Sequence, residues 1–305
     1  MTSPTNIQSA TEQSIAGIPS NPEAIGRLLI QCRDQPGIVS TVSGLLAEFG
    51  ANIISLDQYS TDPSGGEFFQ RTEFHLDHLS ARRAELQAEI QVRVGDRYAA
   101  KWSLTNSAHR KRVAILVSKT DHCLLDLLWR QRRGDLPMDV AMVISNHSDL
   151  ADAVRSMGIP FVHVPVDPKN KKAAEDTHLE MLRGNVDFIV LARYMQIISD
   201  RFLQEVGVPI INIHHSFLPA FVGAGPHQKA KDRGVKMIGA TAHYVTADLD
   251  EGPIIEQDVI RVVHADSTQQ IMRKGADVER HVLARAVAWH CQDRVLRYGN
   301  VTVVF

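Results

Sequence analysis

Residues 113–214 alternate between short apolar runs and longer polar or amphipathic stretches, and few folds can accommodate this alternation. The apolar runs are 113–118, 138–145, 159–166, 186–192 and 209–214. Strands separated by helices cannot pair as simple hairpins, so the pattern predicts an α/β fold with a doubly wound, mostly parallel sheet. Two longer strand-like segments follow residue 235, and a terminal helix is expected from near Asp266 to Leu296.

A smaller unit precedes this sheet. Between residues 25 and 105 the predicted order is strand, helix, strand, strand, helix, strand, which is the ferredoxin-like βαββαβ motif. Asp34 is available to cap its first helix, Pro36 falls in the first turn, and Gly50 follows the last apolar helical residue. A chain of 305 residues exceeds the usual size of one hydrophobic core, so two domains are expected.

The polar, aperiodic segment TNSAHRKR separates the two units. We therefore expect a disordered tail at 1–24, a ferredoxin-like domain at 25–105, a linker at 106–112 and the large α/β domain at 113–305. The tail is assigned from its polar composition and its lack of any hydrophobic period.

Composition narrows the possible partners. A net charge of −2 gives no electrostatic reason to expect binding to nucleic acid or to a membrane surface, and no apolar run approaches the ~20 residues of a membrane helix. The N-terminus lacks the basic and apolar segments of a secretion signal. The three cysteines, Cys32, Cys123 and Cys291, match no zinc or disulfide spacing, so a cytoplasmic protein is expected.

The apolar segment PIINIHHSFLP carries polar residues where a buried strand is expected to end. Strand periodicity places Asn212 and His214 on one face and His215 on the other. An amide can donate to an oxyanion and an imidazole can transfer protons, and ligands of open α/β sheets bind at the carboxyl ends of the strands. The alternative is that both side chains satisfy backbone groups at the strand end. His215 is expected to face away and to anchor the loop.

The loop TADLDEG, at 246–252, offers several carboxylates after another predicted strand. Asp250 near His214 would orient the imidazole or hold it charged. The alternative for this loop is a solvated acidic turn.

The segments NIHHSFLPAF and GATAHYVTADLDEGPIIEQ together resemble the folate-dependent formyltransferase family. That signature is Asn-x-His-x-Ser-x-Leu-Pro followed by an Asp beyond a G-x-T-x-H strand, and the resemblance covers nearly all of 112–305. It implies that Asn212, His214 and Asp250 are catalytic and that His243 supports Asp250.

The same resemblance implies a folate-binding segment, LARYMQIIS. Its implied contacts with the folate are Met195, Gln196 and Ile198, to which we add Asp248 from the acidic loop. The resemblance leaves two points open: whether His214 or Asp250 is the general base, and what His227 does in the segment GPHQKA.

The loop after the first strand of this domain disfavours a phosphorylated acceptor. Family members that formylate glycinamide ribonucleotide have a glycine-rich loop there, where backbone amides hold a phosphate. In this chain the loop reads VSKTDHCL, which has no glycine, and Asp121 would repel a phosphate.

The segment RDQPGIVSTVSGLLAEFGANI is similar to ACT domains, which bind amino acids near the first strand–helix turn and pair across subunits. The effector site implied by this similarity lies across a dimer interface and consists of Asp34, Pro36, Gly37, Ile38 and Asn52. Methionine or glycine is the implied effector, and a homo-oligomer, a dimer or tetramer, is the implied assembly. The alternative is that Pro36 and Gly37 only shape the helix start.

An ACT module fused to a formyltransferase-like domain resembles the members of the family that transfer the formyl group to water. The implied reaction hydrolyses 10-formyltetrahydrofolate to formate and tetrahydrofolate, supplying formate for one-carbon and purine metabolism. No cofactor or metal is expected, since the folate is itself the substrate. Two other hypotheses are a formyltransferase acting on another amine and a non-catalytic sensor of amino acids and folate.

Overall fold

The computed structural model describes residues 21–220 and 226–305. The chain divides into two compact units between His109 and Arg110. The part of the expected tail that precedes residue 21 lies outside the described residues.

The last residues of that expected tail are ordered, so this part of the prediction was wrong. Pro22–Ala24 forms a 3-10 turn, which the side chain of Asn21 caps by accepting a hydrogen bond from the backbone of Glu23. Ala24 is buried, and its carbonyl accepts a hydrogen bond from the backbone of Leu76. These contacts tie the turn to the first unit.

The first unit has the predicted βαββαβ order. Its elements are β1 Ile25–Arg33, α1 Ile38–Glu48, β2 Asn52–Ser60, β3 Glu67–His75, α2 Leu79–Ile90 and β4 Lys101–Asn106, with a π-helical turn, Gln91–Asp96, after α2. The strand order is β2-β3-β1-β4, and every pair is antiparallel. The ferredoxin-like prediction is confirmed.

Helix α1 shows why this unit folds. Ile38, Val42, Leu45 and Leu46 recur at helical spacing and are at most 2% exposed, within the core cluster of the unit. Burial of each such side chain contributes about 1.5–3 kcal/mol relative to exposure.

The second unit contains the predicted α/β sheet. Its elements are β5 Lys111–Val117, α3 His122–Arg133, β6 Met138–Ser145, α4 Ala151–Ser156, β7 Phe161–His163, α5 Lys171–Leu182, β8 Phe188–Leu191, α6 Asp200–Val206, β9 Ile210–His214, α7 Pro226–Arg233, β10 Met237–Tyr244, β11 Ile254–Arg261, α8 Thr268–Cys291, β12 Val295–Tyr298 and β13 Val301–Val304. The sheet order is β11-β10-β9-β8-β5-β6-β7. The five strands β9, β8, β5, β6 and β7 are parallel to one another. Strand β10 pairs antiparallel with β9 on one side and with β11 on the other.

Strand β5 is buried on both faces, which explains its continuous apolar sequence. Val113, Ile115 and Val117 belong to the core cluster that includes α3 and α8, whereas Ala114 and Leu116 belong to the cluster that includes α5 and α6. Helices therefore cover both faces, as predicted for a doubly wound sheet.

Several predicted boundaries differ from the observed ones. β4 extends to Asn106 by pairing with β1, and β5 begins at Lys111 by pairing with β6, so the connection is 107–110 rather than 106–112. β7 is only Phe161–His163, because prolines flank it and cannot donate to a strand ladder.

The end of the chain was also mispredicted. Helix α8 ends at Cys291 rather than near Leu296, and β12 and β13 form an antiparallel hairpin across Gly299 and Asn300. Within the described ranges, no helix combines the length and the apolar character needed to cross a membrane.

Candidate active site

A cavity of about 400 Å³ opens where β8 and β9 end. Its walls come from the loop after β8, from Asn212 and His214 on β9, and from the loop between β10 and β11. The carboxyl ends of parallel strands are where open α/β sheets bind their ligands. The sheet therefore places this cavity at the edge that the sequence indicated.

Asn212 and His214 lie two residues apart on β9 and both line the cavity. β10 pairs with β9 so that His243 lies opposite Asn212. His214 is only 6% exposed, and no partner for its Nε2 exists among the described residues. A buried nitrogen without a partner costs about 1–3 kcal/mol, which a ligand in the cavity would offset.

Asp250 approaches this pair from the loop between β10 and β11. Its backbone has φ of 58°, a left-handed conformation that Asp tolerates better than most residues. Its Oδ2 lies 3.2 Å from Nδ1 of His214, and its Oδ1 lies 3.8 Å from Nε2 of His243. The hydrogen bond from His214 lowers the pKa of Asp250 below its ordinary value, so the carboxylate is ionised at neutral pH.

The tautomer of His243 orients Asn212. Nδ1 of His243 lies 3.0 Å from the carbonyl oxygen of Tyr244, which can only accept, so Nδ1 carries the proton. Burial lowers the pKa of His243, which keeps the ring neutral and leaves Nε2 as an acceptor. Nδ2 of Asn212 donates to that Nε2 at 3.2 Å. The second N–H of the amide has no acceptor among the described residues and is available to a ligand.

The implied folate-binding residues all line the same cavity, namely Met195, Gln196, Ile198 and Asp248. The loop that carries the first three is held at both ends. The backbone N–H of Met195 donates to Oγ of Ser118 at 3.0 Å, and Ser199 donates to Glu175 through both its backbone N–H and its hydroxyl. The loop is therefore a fixed wall of the cavity.

Comparison with known proteins agrees with this architecture. Residues 111–287 match the family model described as formyl transferase, and residues 26–91 match the ACT domain. A formyltetrahydrofolate deformylase of Mycobacterium bovis is 59% identical over 281 residues, which cover 92% of this chain and 91% of that protein. The chain belongs to the formyltetrahydrofolate deformylase family.

Solved structures place the fold in the same family. The crystal structure of a formyltetrahydrofolate deformylase from Pseudomonas syringae pv. tomato has a TM-score of 0.86 at 46% identity and covers 92% of this chain and 94% of its own. A glycinamide ribonucleotide transformylase from Symbiobacterium toebii has a TM-score of 0.61 at 31% identity, covering 67% of this chain and 98% of its own. The deformylase match thus spans more of this chain than the transformylase match.

The predicted orientation of His215 in this deformylase-family chain must be corrected. The residue was expected to face away from the cavity, but it lines the cavity, and its ring centroid lies 5.1 Å from that of His214. Strand β9 ends at His214, so the alternation of faces does not extend to the next residue. Burial and the nearby charge of Arg193 lower the pKa of His215 to about 4, so the ring is neutral.

The loop that carries Asp250 has supports that sequence reasoning missed. Nδ2 of Asn300, in the turn between β12 and β13, donates to the carbonyl of Glu251 at 2.8 Å. A Cβ at Gly252 would lie 1.8 Å from the carbonyl oxygen of Tyr244, so only glycine fits there. Both features constrain the backbone that leads from Asp250 to β11.

A second cavity of about 510 Å³ lies next to the first, and Arg193 and His215 line both. His227, whose role the sequence left open, lines the second cavity, with its ring centroid 5.9 Å from that of His215. Arg193, which is partly buried, was not singled out from the sequence, although it directly follows the apolar run that ends at Ala192.

One group of three possible metal ligands occurs among the described residues: His122, Cys123 and Glu279. Burial raises the pKa of the Cys123 thiol well above its ordinary value, and Nε of Arg193 lies 3.4 Å from Glu279. A protonated thiol and an adjacent guanidinium both disfavour a cation there. This cluster does not include Asn212, His214 or Asp250.

The implied effector residues of the ACT unit do not all come together within one chain. Gly37 begins α1 with φ of 96°, Ile38 is buried, and Oδ2 of Asp34 accepts a hydrogen bond from the hydroxyl of Ser60. Asn52 begins β2 at the opposite end of the sheet, since it pairs with His75. Eight strand residues, roughly 26 Å at about 3.3 Å each, separate the two ends. Asn52 and Asp34 therefore lie far apart within one chain, and the expectation that they form an effector site across a dimer interface stays a prediction.

Proposed function

We propose that this protein hydrolyses 10-formyltetrahydrofolate to formate and tetrahydrofolate. The observation that carries the proposal is the contact of ionised Asp250 with His214, next to the oriented amide of Asn212. These three side chains line a cavity that the implied folate-binding residues also line. Membership of the deformylase family supports the same reaction.

Asn212 is the group that stabilises developing charge on the formyl oxygen. One N–H of its amide is committed to His243, so the other has a defined direction. A donor that is held in place before the reaction stabilises an oxyanion without reorganisation, and removing one such donor typically costs ~10²–10³ in rate.

His214 carries the proton, and Asp250 holds the ring. The lowered pKa of Asp250 makes its carboxylate a weak base, whereas Nε2 of His214 has no partner among the described residues. Water gives a proton to Nε2 as its oxygen attacks the formyl carbon, and Nε2 returns the proton to N10 of the folate as the C–N10 bond breaks. Asp250 stabilises the transient imidazolium through Nδ1.

The proposed mechanism needs no metal ion. The amide supplies the electrophilic assistance and the His214–Asp250 pair supplies the base, so no step requires a Lewis acid. Dialysis against a metal chelator is expected to leave formate release unchanged, and restoration of lost activity by an added divalent cation would contradict this part of the proposal.

Incubation with 10-formyltetrahydrofolate tests the reaction directly. We expect formate and tetrahydrofolate in equal amounts, and the same rate when amines are added. Formylation of glycinamide ribonucleotide or another amine faster than formate release would make the protein a transferase. Folate binding without turnover would make it a sensor.

Regulation, assembly and location are further parts of the proposal. Methionine or glycine binds the ACT unit, and the protein is a cytoplasmic homo-oligomer, a dimer or tetramer. In support, β2 is an edge strand on which Ile54 and Tyr59 are about half exposed, as expected of a strand that pairs with another chain. The buried residues Cys32, Cys123 and Cys291 form no disulfide with one another. Formate release measured with each amino acid, and the mass in solution by light scattering, test these points.

A further inference from the structure

Arg193 has an unusual backbone conformation. Its φ is 63°, in the left-handed region that a long side chain rarely adopts. Hydrogen bonds hold the backbone on both sides of it. On one side the N–H of Ala192 donates to the carbonyl of Leu116. On the other side the N–H of Ser118 donates to the carbonyl of Arg193, and the hydroxyl of Ser118 accepts from the N–H of Met195. Strained residues of this kind persist where the surrounding structure determines them, and they concentrate at functional sites.

The side chain of Arg193 is paired by charge with a buried carboxylate, although its Nε makes no hydrogen bond among the described residues. Nε lies 3.4 Å from Oε2 of Glu279, and Nε2 of His122 lies 2.9 Å from the same oxygen. Glu279 is only 3% exposed. Burial raises its pKa, but the hydrogen bond from His122 and the charge of Arg193 outweigh burial, so the pKa lies below its ordinary value. The guanidinium therefore lies beside a buried, ionised carboxylate and is held there by charge.

Arg193 stands between two cavities. Together with His215 it lines both the catalytic cavity and the second cavity. The other walls of the second cavity include Thr120, His122, His227, Arg273 and Glu279. This space lies beside the catalytic residues, because the rings of His215 and His214 are 5.1 Å apart, and it has room for a small amine.

We infer that Arg193, anchored by Glu279 and His122, determines specificity by separating the catalytic cavity from the space through which an amine acceptor would enter. A glycinamide ribonucleotide transformylase shares this fold with a TM-score of 0.61, so the fold itself does not restrict the chemistry to water. The restriction must come from side chains, and of the two that line both cavities, Arg193 and His215, Arg193 has the longer side chain. The inference rests on the proposed hydrolysis.

Opening this boundary changes the nucleophile but not the rest of the step. In hydrolysis the oxygen of water bonds to the formyl carbon, the C–N10 bond breaks, and the proton lost by water reaches N10 through His214. With an amine, its nitrogen bonds to the formyl carbon, the same C–N10 bond breaks, and the proton lost by the amine follows the same route. The products are then a formamide and tetrahydrofolate.

The test replaces Arg193 and measures how the formyl group is partitioned. Arg193→Gly suits the positive φ and removes the side chain, whereas Arg193→Lys keeps a long cation. With glycinamide as the probe, formate and N-formylglycinamide are quantified by mass spectrometry after subtraction of the uncatalysed reaction. We expect Arg193→Gly to raise the ratio of formamide to formate by at least ~10-fold, within the range by which pocket shape discriminates substrates, and Arg193→Lys to change it much less.

Two further variants complete the test. Arg132→Ala removes an exposed arginine on α3 that lines neither cavity, so its ratio should equal that of the unmodified protein. If removal of Arg193 alone unfolds the protein by leaving Glu279 without its cation, Arg193→Gly combined with Glu279→Gln removes both charges. Circular dichroism and the KM for the folate establish that each variant is folded and binds substrate.

The outcomes separate this inference from the proposed function. If folded variants that lack the Arg193 side chain release formate and form no more N-formylglycinamide than the unmodified protein, the inference is wrong and the proposed hydrolysis stands. If the unmodified protein already formylates glycinamide, the boundary excludes nothing and the inference is wrong as well. If the unmodified protein releases no formate, the proposed function fails, and this inference fails with it.

Discussion

Two carboxylate–imidazole pairs lie near each other in the second unit, and their surroundings differ. The first pair, Asp250 and His214, is separated by 3.2 Å and lines the catalytic cavity, with Nε2 of the imidazole unpartnered among the described residues. The second pair, Glu279 and His122, is separated by 2.9 Å and has Arg193 as a third member. In the second pair a permanent cation already neutralises the carboxylate.

The difference shows that residue types do not by themselves identify a catalytic pair. A pair that transfers protons needs an imidazole nitrogen that faces the substrate and a carboxylate whose charge is available to the ring. Asp250 and His214 line the cavity and contact each other, with Nε2 of His214 left unpartnered among the described residues, as the proposed mechanism requires. Glu279 is engaged at once by the guanidinium of Arg193 and by the ring of His122, which suits a fixed boundary.

The largest expected effect comes from Asp250→Asn. An amide in place of the carboxylate cannot stabilise the imidazolium. We therefore expect kcat for formate release to fall by roughly 10³–10⁴, similar to the loss that the same Asp→Asn change causes in Ser-His-Asp triads. The KM for the folate should change little, because Asp250 contacts the other catalytic residues. Stopped-time formate assays and folate titration measure both. Asp277→Asn, at an exposed carboxylate on α8, is the matched control, and near-normal turnover of Asp250→Asn would remove it from the mechanism.

Asn212→Ala should have the next largest effect. It removes the amide that His243 orients, and loss of an oxyanion donor lowers kcat by ~10²–10³. Asn212→Asp, of similar size, should be no better than Ala, because a carboxylate repels a developing oxyanion. Single-turnover kinetics check the chemical step directly. If Asn212→Asp retained most of the activity, electrostatic donation by the amide would be excluded.

His178 tests whether an unpartnered imidazole is enough to indicate catalysis. It is 1% exposed, and neither ring nitrogen has a partner among the described residues, but it has no paired carboxylate and lies outside the cavity lining. Burial lowers its pKa to about 4. The unfolded chain binds a proton on His178 near pH 6.5, whereas the folded chain binds it only near pH 4. The neutral ring therefore makes its full contribution to the free energy of unfolding above pH 6.5. This contribution is lost as the pH falls toward 4, by up to about 3 kcal/mol.

Replacing His178 should therefore flatten the acid side of the stability profile. Denaturant unfolding between pH 7 and pH 4 should show a smaller loss of free energy for His178→Gln than for the unmodified protein. His264→Gln, at an exposed position, serves as the control. At pH 7.5 the kcat of His178→Gln should stay within about threefold of normal. A much larger loss of kcat would mean that the His178 ring takes part in catalysis although it lies outside the cavity lining.

The smallest effect is expected at the C-terminal hairpin. Asn300→Ala removes the hydrogen bond to the carbonyl of Glu251, next to Asp250. A net hydrogen bond is worth about 0.5–1.5 kcal/mol, so we expect kcat to fall by about two- to tenfold. Thr302→Val removes the hairpin bond to the carbonyl of Ile254, farther from Asp250, and should lower the melting temperature without changing kcat. Equal effects of the two variants on kcat would argue against positioning of Asp250 by Asn300.

Much of the fold and part of the site followed from local sequence patterns. The alternation of apolar runs and helices led to the parallel sheet, and strand periodicity put Asn212 and His214 on one face. The same reasoning misplaced His215, because periodicity ends with the strand and β9 ends one residue earlier. It also extended α8 into a hairpin, since a short apolar run after a helix does not reveal where pairing begins.

Sequence by itself determined the two fold classes, the order of most elements and the motif that resembles folate-dependent formyltransferases. These depend on backbone periodicity and on residues close together along the chain. Only the tertiary structure decided that Asp250 lies 3.2 Å from His214, that Arg193 lies between two cavities and that Asn52 is far from Asp34. Such contacts join residues that are distant along the chain, and packing and strand register, rather than local propensity, set their distances.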